Sequence, residues 1–338
     1  GGATWTSLGA PVSMGLDWYH NVLAVHPANP QIVLAGGLEL WRSTSGGAAW
    51  ANVGAASGVH VDIHQLAFHP LAPEIVYLGC DGGVWLSVDT GASWIARNTG
   101  LVTVQYYAIG LDPSRELTTY GGTQDNWMNK TTGATTWQYL YPPVCGDVGW
   151  IRVSPIDSRK IYATTCALGA IGRSSDEGAT WVNARSGIGT ESANWVPPIE
   201  LDLTAPDVLF AGTSRIYKTT NQGNLWVAKS GDLGATVTAL AISPASSSVV
   251  WAGANARKLR STDGGESWAD RTAGTPYQYT TDFAPSADLA APLTALVTVG
   301  GYGNPHVLRT TNGGDTWTNA SGDLPDAPAN SIAILPWD

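Results

Sequence analysis

Three features of the sequence predict an all-β fold of seven four-stranded blades. A phrase ending in tryptophan recurs along the chain at intervals of 42 to 49 residues. Each interval has room for four short strands, since runs rich in Val, Ile, Leu, Tyr and Trp alternate with Pro, Gly, Asn and Asp. No window shows the 3.6-residue period of an amphipathic helix. Four antiparallel strands repeated seven times predict a seven-bladed β-propeller.

The second repeat shows the order of the strands. Its runs are HQLAFHP at 64–70, IVYLG at 75–79 and VWLS at 84–87, followed by a short run after Trp94. Residues that favour turns separate these runs. We therefore expect the first run to form the innermost strand of a blade and the last run to form the outermost strand.

The repeated phrase has the form Ser/Thr-x-Asp-x-Gly-x-x-Trp. Its copies are STSGGAAW (43–50), SVDTGASW (87–94), SSDEGATW (174–181), TTNQGNLW (219–226), STDGGESW (261–268), TTNGGDTW (310–317) and a degraded copy, KTTGATTW (130–137). The phrase resembles the Asp-box (BNR) repeat over essentially the whole chain. Propellers with this repeat include sialidases, xyloglucanases, photosystem assembly factors and sortilin-like receptors.

The residues of the phrase are expected to be structural. The side chain at its third position should accept backbone N–H groups in the turn between the third and fourth strands. These residues are Asp89, Asp176, Asn221, Asp263 and Asn312. The final tryptophan should pack between neighbouring sheets and bury ~150–250 Å². These residues are Trp50, Trp94, Trp181, Trp226, Trp268 and Trp317. Ser45 replaces the Asp in the first copy and Thr132 replaces it in the third, so these two turns should be looser.

Composition and charge exclude several classes. The chain has 17 Lys and Arg against 27 Asp and Glu, a net charge of −10 that would repel the phosphates of a nucleic acid. Its apolar runs are shorter than the ~18 residues of a transmembrane segment. Three cysteines are too few for a disulfide scaffold and too poorly spaced for a zinc site, so no cofactor or metal is predicted.

Two of the cysteines indicate the compartment. Cys145 precedes the first strand of the fourth repeat and Cys166 ends the next strand, so antiparallel pairing would allow a disulfide. A disulfide implies an oxidising compartment, and the protein is predicted to be extracytoplasmic, whether secreted, periplasmic or on the cell surface. We expect residues 1–338 to form a single propeller domain or a segment of a longer repeat protein, since Trp5 opens with a spare outer strand and 331–335 adds a spare inner strand.

One face of the propeller is expected to bind the ligand. The loops before each first strand and those between second and third strands emerge there, and ligands of propellers bind over the channel mouth. Aromatic and acidic residues dominate these loops. Their side chains would stack on sugar rings, contact a partner protein or plug the channel. The predicted ligand-binding residues are Trp18, Tyr19, His20, His60, His64, Asp125, Tyr139, Tyr141 and Trp195.

Asp62 and Asp81 are the predicted catalytic residues if the protein is an enzyme. They end adjacent strands of the second blade, and glycoside hydrolysis needs two carboxylates. The segment 77–85 is similar to one that bears a catalytic Asp in xyloglucan-type endoglucanases, which place their second acid in a partner propeller. Asp125 occupies the equivalent loop of the third blade, which leaves a role as a turn residue open.

His60, Asp62 and His64 alternate and would share one side of an extended segment. Two imidazoles and a carboxylate suit a zinc or iron site, and the alternative is a hydrogen-bonded polar cluster. The second reading fits the prediction that no metal is bound.

The resemblance to sialidases carries a requirement that the chain does not meet. Those enzymes bind the substrate carboxylate with three arginines. Here Arg42, Arg173, Arg260 and Arg309 each precede a repeated turn, where they would face the rim. No G-x-S-x-G motif is present, and Cys80 has no basic neighbour in sequence.

The sequence therefore predicts a non-catalytic extracytoplasmic binding or scaffold propeller that engages a protein complex or a polysaccharide through its channel-mouth face. The alternative is a glycoside hydrolase of the endo-β-glucanase or xyloglucanase type that uses Asp62 and Asp81. The missing arginine triad, the missing partner propeller and the short uniform loops favour binding.

Overall fold

A computed structural model describes residues 4, 6–9, 19–101, 103–142 and 145–334. The described residues form seven four-stranded antiparallel sheets, so the predicted class, a seven-bladed β-propeller, is confirmed. The chain divides into two compact units, residues 1–104 and 105–338, which are described separately. Trp5 and Trp18 lie outside the described residues. Within the described ranges, no helix has the length and apolar character needed to cross a bilayer.

The first unit holds two blades. The first is β1 (Val22–Val25), β2 (Val33–Gly36), β3 (Leu40–Ser43) and β4 (Ala51–Asn52), and the second is β5 (Ile63–Phe68), β6 (Val76–Cys80), β7 (Gly83–Ser87) and β8 (Ile95–Ala96). A 3₁₀ helix spans Ala55–Ser57 between them. Within each blade the strands pair in chain order.

The second unit holds five blades, whose strands also pair in chain order. The third blade is β9 (Tyr106–Leu111), β10 (Thr118–Thr123), β11 (Met128–Thr132) and β12 (Gln138–Leu140). The fourth is β13 (Val148–Val153), β14 (Ile161–Thr165), β15 (Ile171–Ser174) and β16 (Val182–Asn183). The fifth is β17 (Ile199–Leu201), β18 (Leu209–Gly212), β19 (Ile216–Thr219) and β20 (Val227–Ala228). The sixth is β21 (Val237–Ser243), β22 (Ser246–Ala254), β23 (Arg257–Ser261) and β24 (Ala269–Asp270). The seventh is β25 (Thr280–Pro285), β26 (Ala295–Val299), β27 (Val307–Thr310) and β28 (Thr318–Asn319), and a 3₁₀ helix spans Cys166–Leu168.

The hydrophobic core lies between neighbouring sheets of each unit. Every residue of β2, β14 and β18 is buried. A second strand covered on both faces favours apolar or small side chains on both, as in the runs VLAG of β2 and LFAG of β18, whereas β14 (IYATT) also buries two threonines. In the first unit, Leu34 of β2 packs with Ile63 and Leu78 of the next blade.

The repeated turn is held by its own side chains. In the sixth blade the Ser261 hydroxyl donates to Asp263 Oδ1 at 2.7 Å and accepts the Gly265 N–H at 2.8 Å. Asp263 also accepts the N–H of Ser267 at 2.9 Å. Hydrogen bonds from Ser267 and Ser261 hold the pKa of the Asp263 carboxyl well below its usual range. Gly265 has φ +88°, and a Cβ there would come within 2.4 Å of the Phe210 ring.

The two divergent turns keep different bonds. In the first blade, Ser45 Oγ accepts the Ala49 N–H at 2.9 Å, so the hydroxyl replaces one bond of the missing carboxylate. In the third blade, the Thr131 hydroxyl instead donates to the carbonyl of Ala134 at 2.8 Å.

The tryptophan that ends the turn packs against the preceding blade in the second and fifth blades. Trp94 lies in the core of the first unit with Leu34 of the blade before it. Trp226 is 2% exposed, packs with Tyr162 and Ile171 of the fourth blade, and donates its indole N–H to Ala184 at 2.7 Å. Trp137, after the degraded phrase, is 39% exposed.

Basic side chains of the third strands hold the turn of the following blade. Arg42 donates to the Thr90 carbonyl at 2.9 Å and Arg260 to the Gly313 carbonyl at 2.6 Å. Arg173 and Lys218 make the same contact, to the carbonyls of Gln222 and Gly264. Each acceptor comes directly before the glycine of the turn. These arginines therefore join blades and do not form a carboxylate-binding triad.

The difference in tryptophan burial yields a stability prediction. Trp226→Ala should lower the free energy of unfolding by about 3–5 kcal/mol, because it leaves a cavity between two sheets and an unpaired carbonyl. Trp137→Ala should lower it by about 1 kcal/mol or less, since that ring is partly exposed. Guanidinium titrations of both variants provide the measurement. Equal losses would contradict the assignment of Trp226 as the buried wedge.

A second prediction concerns Lys258, whose side chain is fully buried and donates to the Ala256 carbonyl at 2.9 Å. Burial lowers the pKa of Lys258 from 10.5 to about 8. Between these values the folded state binds fewer protons than the unfolded state, so the contribution of Lys258 to stability increases with pH, and the cost of burying the ammonium is complete below pH 8.

Lys258→Met removes this cost. The unfolding free energy of the variant minus that of the wild type should therefore be larger at pH 7 than at pH 10, by no more than about 3 kcal/mol. Chemical denaturation at both pH values gives the difference. A difference independent of pH would show that the lysine is not titrating in this window.

Candidate functional site

The first unit gathers two histidine–aspartate pairs. His20 Nε2 lies 2.6 Å from Asp62 Oδ1, and His64 Nε2 lies 2.6 Å from Asp81 Oδ1. His20 comes just before β1, Asp62 directly before β5, His64 within β5 and Asp81 directly after β6. Together with Tyr19 we call these residues the paired-acid cluster. It unites five predicted ligand-binding or catalytic residues at one end of the first strands.

Backbone geometry places the two aspartates. Asp62 has φ +63°, and its N–H donates to the Leu38 carbonyl at 3.0 Å. The N–H of Asp81 in turn donates to the Asp62 carbonyl at 3.3 Å. Loops of both blades therefore fix the two carboxylates relative to each other.

The left-handed conformation of Asp62 overturns one expectation. We expected His60, Asp62 and His64 to share one side of an extended segment, and this is wrong because β5 begins at Ile63 and the chain turns at Asp62. His60 Nδ1 lies 3.1 Å from the carbonyl of its neighbour Val61. Asp62 and His64 instead take part in separate pairs.

The members of the cluster differ in exposure. The His20 side chain is fully buried, the two aspartates are mostly buried and His64 is 36% exposed. The close His20–Asp62 contact lies outside hydrogen-bond geometry, and neither ring nitrogen of His20 has a hydrogen bond within the described residues. His20 therefore supports Asp62 from inside the fold and is not placed to contact a ligand.

The outer side of the cluster is aromatic. Tyr19 is 45% exposed and stands edge-on to the His64 ring, with the ring centroids 5.0 Å apart. A ligand approaching this surface meets Tyr19 and His64 first, with Asp81 behind them. A phenol, an imidazole and a carboxylate offer one face for stacking and several hydrogen-bonding groups.

The two carboxylates lie close together. A carboxylate oxygen of Asp62 and one of Asp81 are within 4.8 Å of each other.

Cys80 ends β6, directly before Asp81. Burial raises the pKa of the Cys80 thiol to about 11, so Cys80 stays protonated and is not a nucleophile. Within the described part of the chain, no convergent group of three or more His, Cys, Asp or Glu side chains includes a histidine, so this cluster does not fit a zinc or iron site.

The second unit has its own group of loops at the ends of the first strands. A disulfide joins Cys145 and Cys166, whose Cα atoms are 6.5 Å apart. Several non-glycine residues near it have left-handed backbones, an unusual concentration of strain that occurs at functional sites. They are Asp125, Trp127, Cys145, Ala167 and Leu168. Backbone bonds connect them, including Trp127 N–H to Gly146 and Ala167 N–H to Trp195.

Trp195 projects from these loops with 54% of its surface exposed. Its loop is anchored by Glu191, which accepts hydrogen bonds from the hydroxyls of Tyr217 and of Thr213, the latter at 3.0 Å. Burial raises the pKa of the nearby Tyr107 to about 12, which keeps this phenol protonated as a hydrogen-bond donor. Sequence reasoning missed Glu191, because its partners Thr213 and Tyr217 are more than 20 residues away and no local spacing connects them.

Tyr139 does not lie in the loop where the sequence placed it, and Tyr141 comes directly after β12. Tyr139 was expected in a loop at the channel mouth, but it lies within β12, opposite Asn129 of β11. The two tyrosine rings stack with centroids 6.5 Å apart, and Trp127 meets Tyr141 edge-on. The tyrosines, 49% and 62% exposed, form an aromatic surface on the side of the third blade.

Comparison with known proteins gives the fold but no family. No family model and no curated protein matches the chain. Among solved structures, YCF48 from Cyanidioschyzon merolae is 16% identical, with a TM-score of 0.50, over 79% of this chain and 86% of that one. YCF48 bound to a D1 peptide is similar at the same identity and TM-score, over 80% of this chain and 85% of that one.

A GH74 xyloglucanase from Xanthomonas campestris also matches. It is 18% identical, with a TM-score of 0.32, over 90% of this chain. The chain spans 58% of the length of that enzyme. The likeness to YCF48 supports the β-propeller fold, and the site has to be argued from its own residues.

The raised pKa of Cys80 leads to a labelling prediction. At pH 8 the native protein should react with iodoacetamide at Cys80 at least about 100-fold more slowly than a small free thiol, because few molecules carry a thiolate at three pH units below the pKa. Mass spectrometry of timed samples measures the rate, and the guanidinium-unfolded chain is the control. Native Cys80 that reacts as fast as the unfolded chain would show that the thiol is not shielded.

Proposed function

We propose that this protein is a non-catalytic, extracytoplasmic binding or scaffold module. Its partner is a protein complex or a polysaccharide, and the paired-acid cluster and the Trp195 loop are the contact surfaces. Residues 1–338 act in this proposal as one propeller domain built on Asp-box repeats.

One observation carries the proposal for binding. Asp62 and Asp81 each lie 2.6 Å from a histidine nitrogen. A carboxylate in close contact with an imidazole is held in place and presents its acceptor oxygens to the hydrogen-bond donors of a sugar or a peptide. Two carboxylates held in this way suit the recognition of hydrogen-bond donors.

Exposed aromatic side chains support the same function. Tyr19 is 45% exposed and Trp195 is 54% exposed, and the backbone carbonyl of Trp195 accepts the Ala167 N–H. Such rings bind sugar faces or the side chains of a protein partner at a low cost in conformational entropy. YCF48, a protein of this fold, is known in a structure with a D1 peptide bound, so the fold is compatible with peptide recognition.

The proposed location rests on the disulfide. The bond between Cys145 and Cys166 would persist in an oxidising compartment and not in a reducing cytosol.

The binding proposal predicts the effect of two surface changes. A hit from a glycan array or a peptide library should bind about tenfold more weakly to Tyr19→Ala or to Trp195→Ala, since each loses a stacking face worth about 1–2 kcal/mol. Isothermal titration calorimetry measures the affinity. Asp157→Asn, which changes a partly exposed carboxylate paired with Arg159, is the control and should bind as the wild type does. Ligands that bind both aromatic variants as tightly as they bind the wild type would contradict the proposed surfaces.

The second candidate function is glycoside hydrolysis. It is favoured by the carboxylate oxygens of Asp62 and Asp81 within 4.8 Å, which is compatible with the ~5–5.5 Å separation of the carboxyl groups in retaining enzymes. A screen of xyloglucan, β-glucans and sialosides decides between the two. The binding proposal expects no turnover, and turnover abolished by Asp81→Asn would establish the hydrolase instead.

A further inference from the structure

The paired-acid cluster lies in an acidic unit. Residues 1–104 contain two basic residues, Arg42 and Arg97, against six acidic residues. Arg42 is bound to the repeated turn of the second blade, at the end of the strands away from the cluster, and Arg97 follows the outermost strand, β8. In the part of the chain that the structure describes, no lysine or arginine pairs with Asp62 or Asp81. The charge of these two carboxylates is therefore not balanced by a basic side chain of the protein.

The two carboxylates have the spacing that one charged nitrogen needs. An oxygen of Asp62 and one of Asp81 lie within 4.8 Å of each other. A charge-assisted N–H···O bond measures ~2.8 Å, so a nitrogen that donates to both oxygens at a tetrahedral angle would hold them ~4.6 Å apart. Such a nitrogen would also place a positive charge between two carboxylates that otherwise repel each other. An ammonium or a guanidinium group meets both conditions.

His20 leaves Asp62 able to accept a further hydrogen bond. The His20 side chain is fully buried, and its Nε2 lies 2.6 Å from Asp62 Oδ1. Neither ring nitrogen of His20 nonetheless forms a hydrogen bond within the described residues. Buried polar groups nearly always have a hydrogen-bond partner, so an unpaired imidazole beside a carboxylate marks a place where the bonds of the chain itself are incomplete. A donor on a ligand would complete the bonding of the Asp62 carboxylate.

Aromatic rings stand in front of the carboxylates. Tyr19 is 45% exposed and the His64 side chain is 36% exposed, and their rings meet edge-on with centroids 5.0 Å apart. The face of an aromatic ring attracts a cation within ~6 Å. The hydrocarbon stem of a lysine or arginine can pack on such a ring while its charged head reaches further in. The cluster therefore offers a ring for the stem and two carboxylates for the head.

We propose that the paired-acid cluster binds a lysine or arginine side chain on a basic segment of a partner protein. This inference rests on the proposed binding function and selects a protein over a polysaccharide as the ligand of this surface. A neutral polysaccharide would stack on Tyr19, but its hydroxyl groups would not balance the charge of two carboxylates. Complementary charge also speeds the encounter with a basic partner and fixes its position.

The test uses a fluorescent peptide of glycine, serine and three lysines, and a second peptide in which every lysine is acetylated. Anisotropy on titration with the whole protein gives the affinity of each. The lysine peptide should bind saturably, and acetylation should weaken its binding about tenfold or more, because it removes the positive charges. An arginine peptide and its citrulline counterpart repeat the comparison for the guanidinium group. These comparisons need no variant of the protein.

Two variants with the same change in charge locate the site. Asp81→Asn removes one carboxylate of the cluster and should weaken binding of the lysine peptide about tenfold or more. Glu74→Gln changes an exposed carboxylate that precedes β6, at the end of this strand away from Asp81. It is the matched control and should bind within about twofold of the wild type. Thermal unfolding at the wild-type temperature shows that both variants are folded.

The outcomes separate this inference from the proposed function. Absence of binding by the lysine peptide, equal binding after acetylation, or equal losses in Asp81→Asn and Glu74→Gln would each overturn the inference. A neutral glycan that loses affinity in Tyr19→Ala but not in Asp81→Asn would overturn it too, and would leave the proposed binding function intact. A lack of any ligand whose affinity depends on Tyr19 or Trp195 would instead contradict the proposed function as well.

Discussion

The packing of one sheet against the next is the interaction on which the structure depends. A four-stranded blade has apolar side chains on both faces and cannot cover them alone. Trp226 is the clearest case, since it closes the gap between two sheets and is itself fixed by the turn before it. In that turn the Thr219 hydroxyl accepts the N–H of Gly223, so a few local hydrogen bonds set the position of a large buried ring.

The fold was predictable from the sequence because its signal is local and repeated. Turn, glycine and tryptophan recur within eight residues in six of the seven copies of the phrase. The bonds between blades were not predictable, since Arg42 and Thr90, or Glu191 and Tyr217, are distant in sequence and follow no spacing rule. The candidate site was predicted in part. Asp62, Asp81 and His64 do meet, but the left-handed turn at Asp62 changed which residues pair.

The two candidate surfaces, one in each unit, have a common design. In the first unit a buried imidazole supports an aspartate behind an exposed tyrosine. In the second, a disulfide and Glu191 fix the loops from which Trp195 projects. Both place an exposed ring on a rigid base, which lowers the entropy lost on binding. Strained backbones at Asp62 and Asp125 persist because these bases hold them.

A crystal structure of the protein soaked with its best array hit tests the central claim most directly. The account predicts an intact ligand in contact with the rings of Tyr19 or Trp195, with the His20–Asp62 and His64–Asp81 pairs unbroken. A cleaved sugar between the carboxylates of Asp62 and Asp81, or a ligand bound only away from both rings, would contradict it.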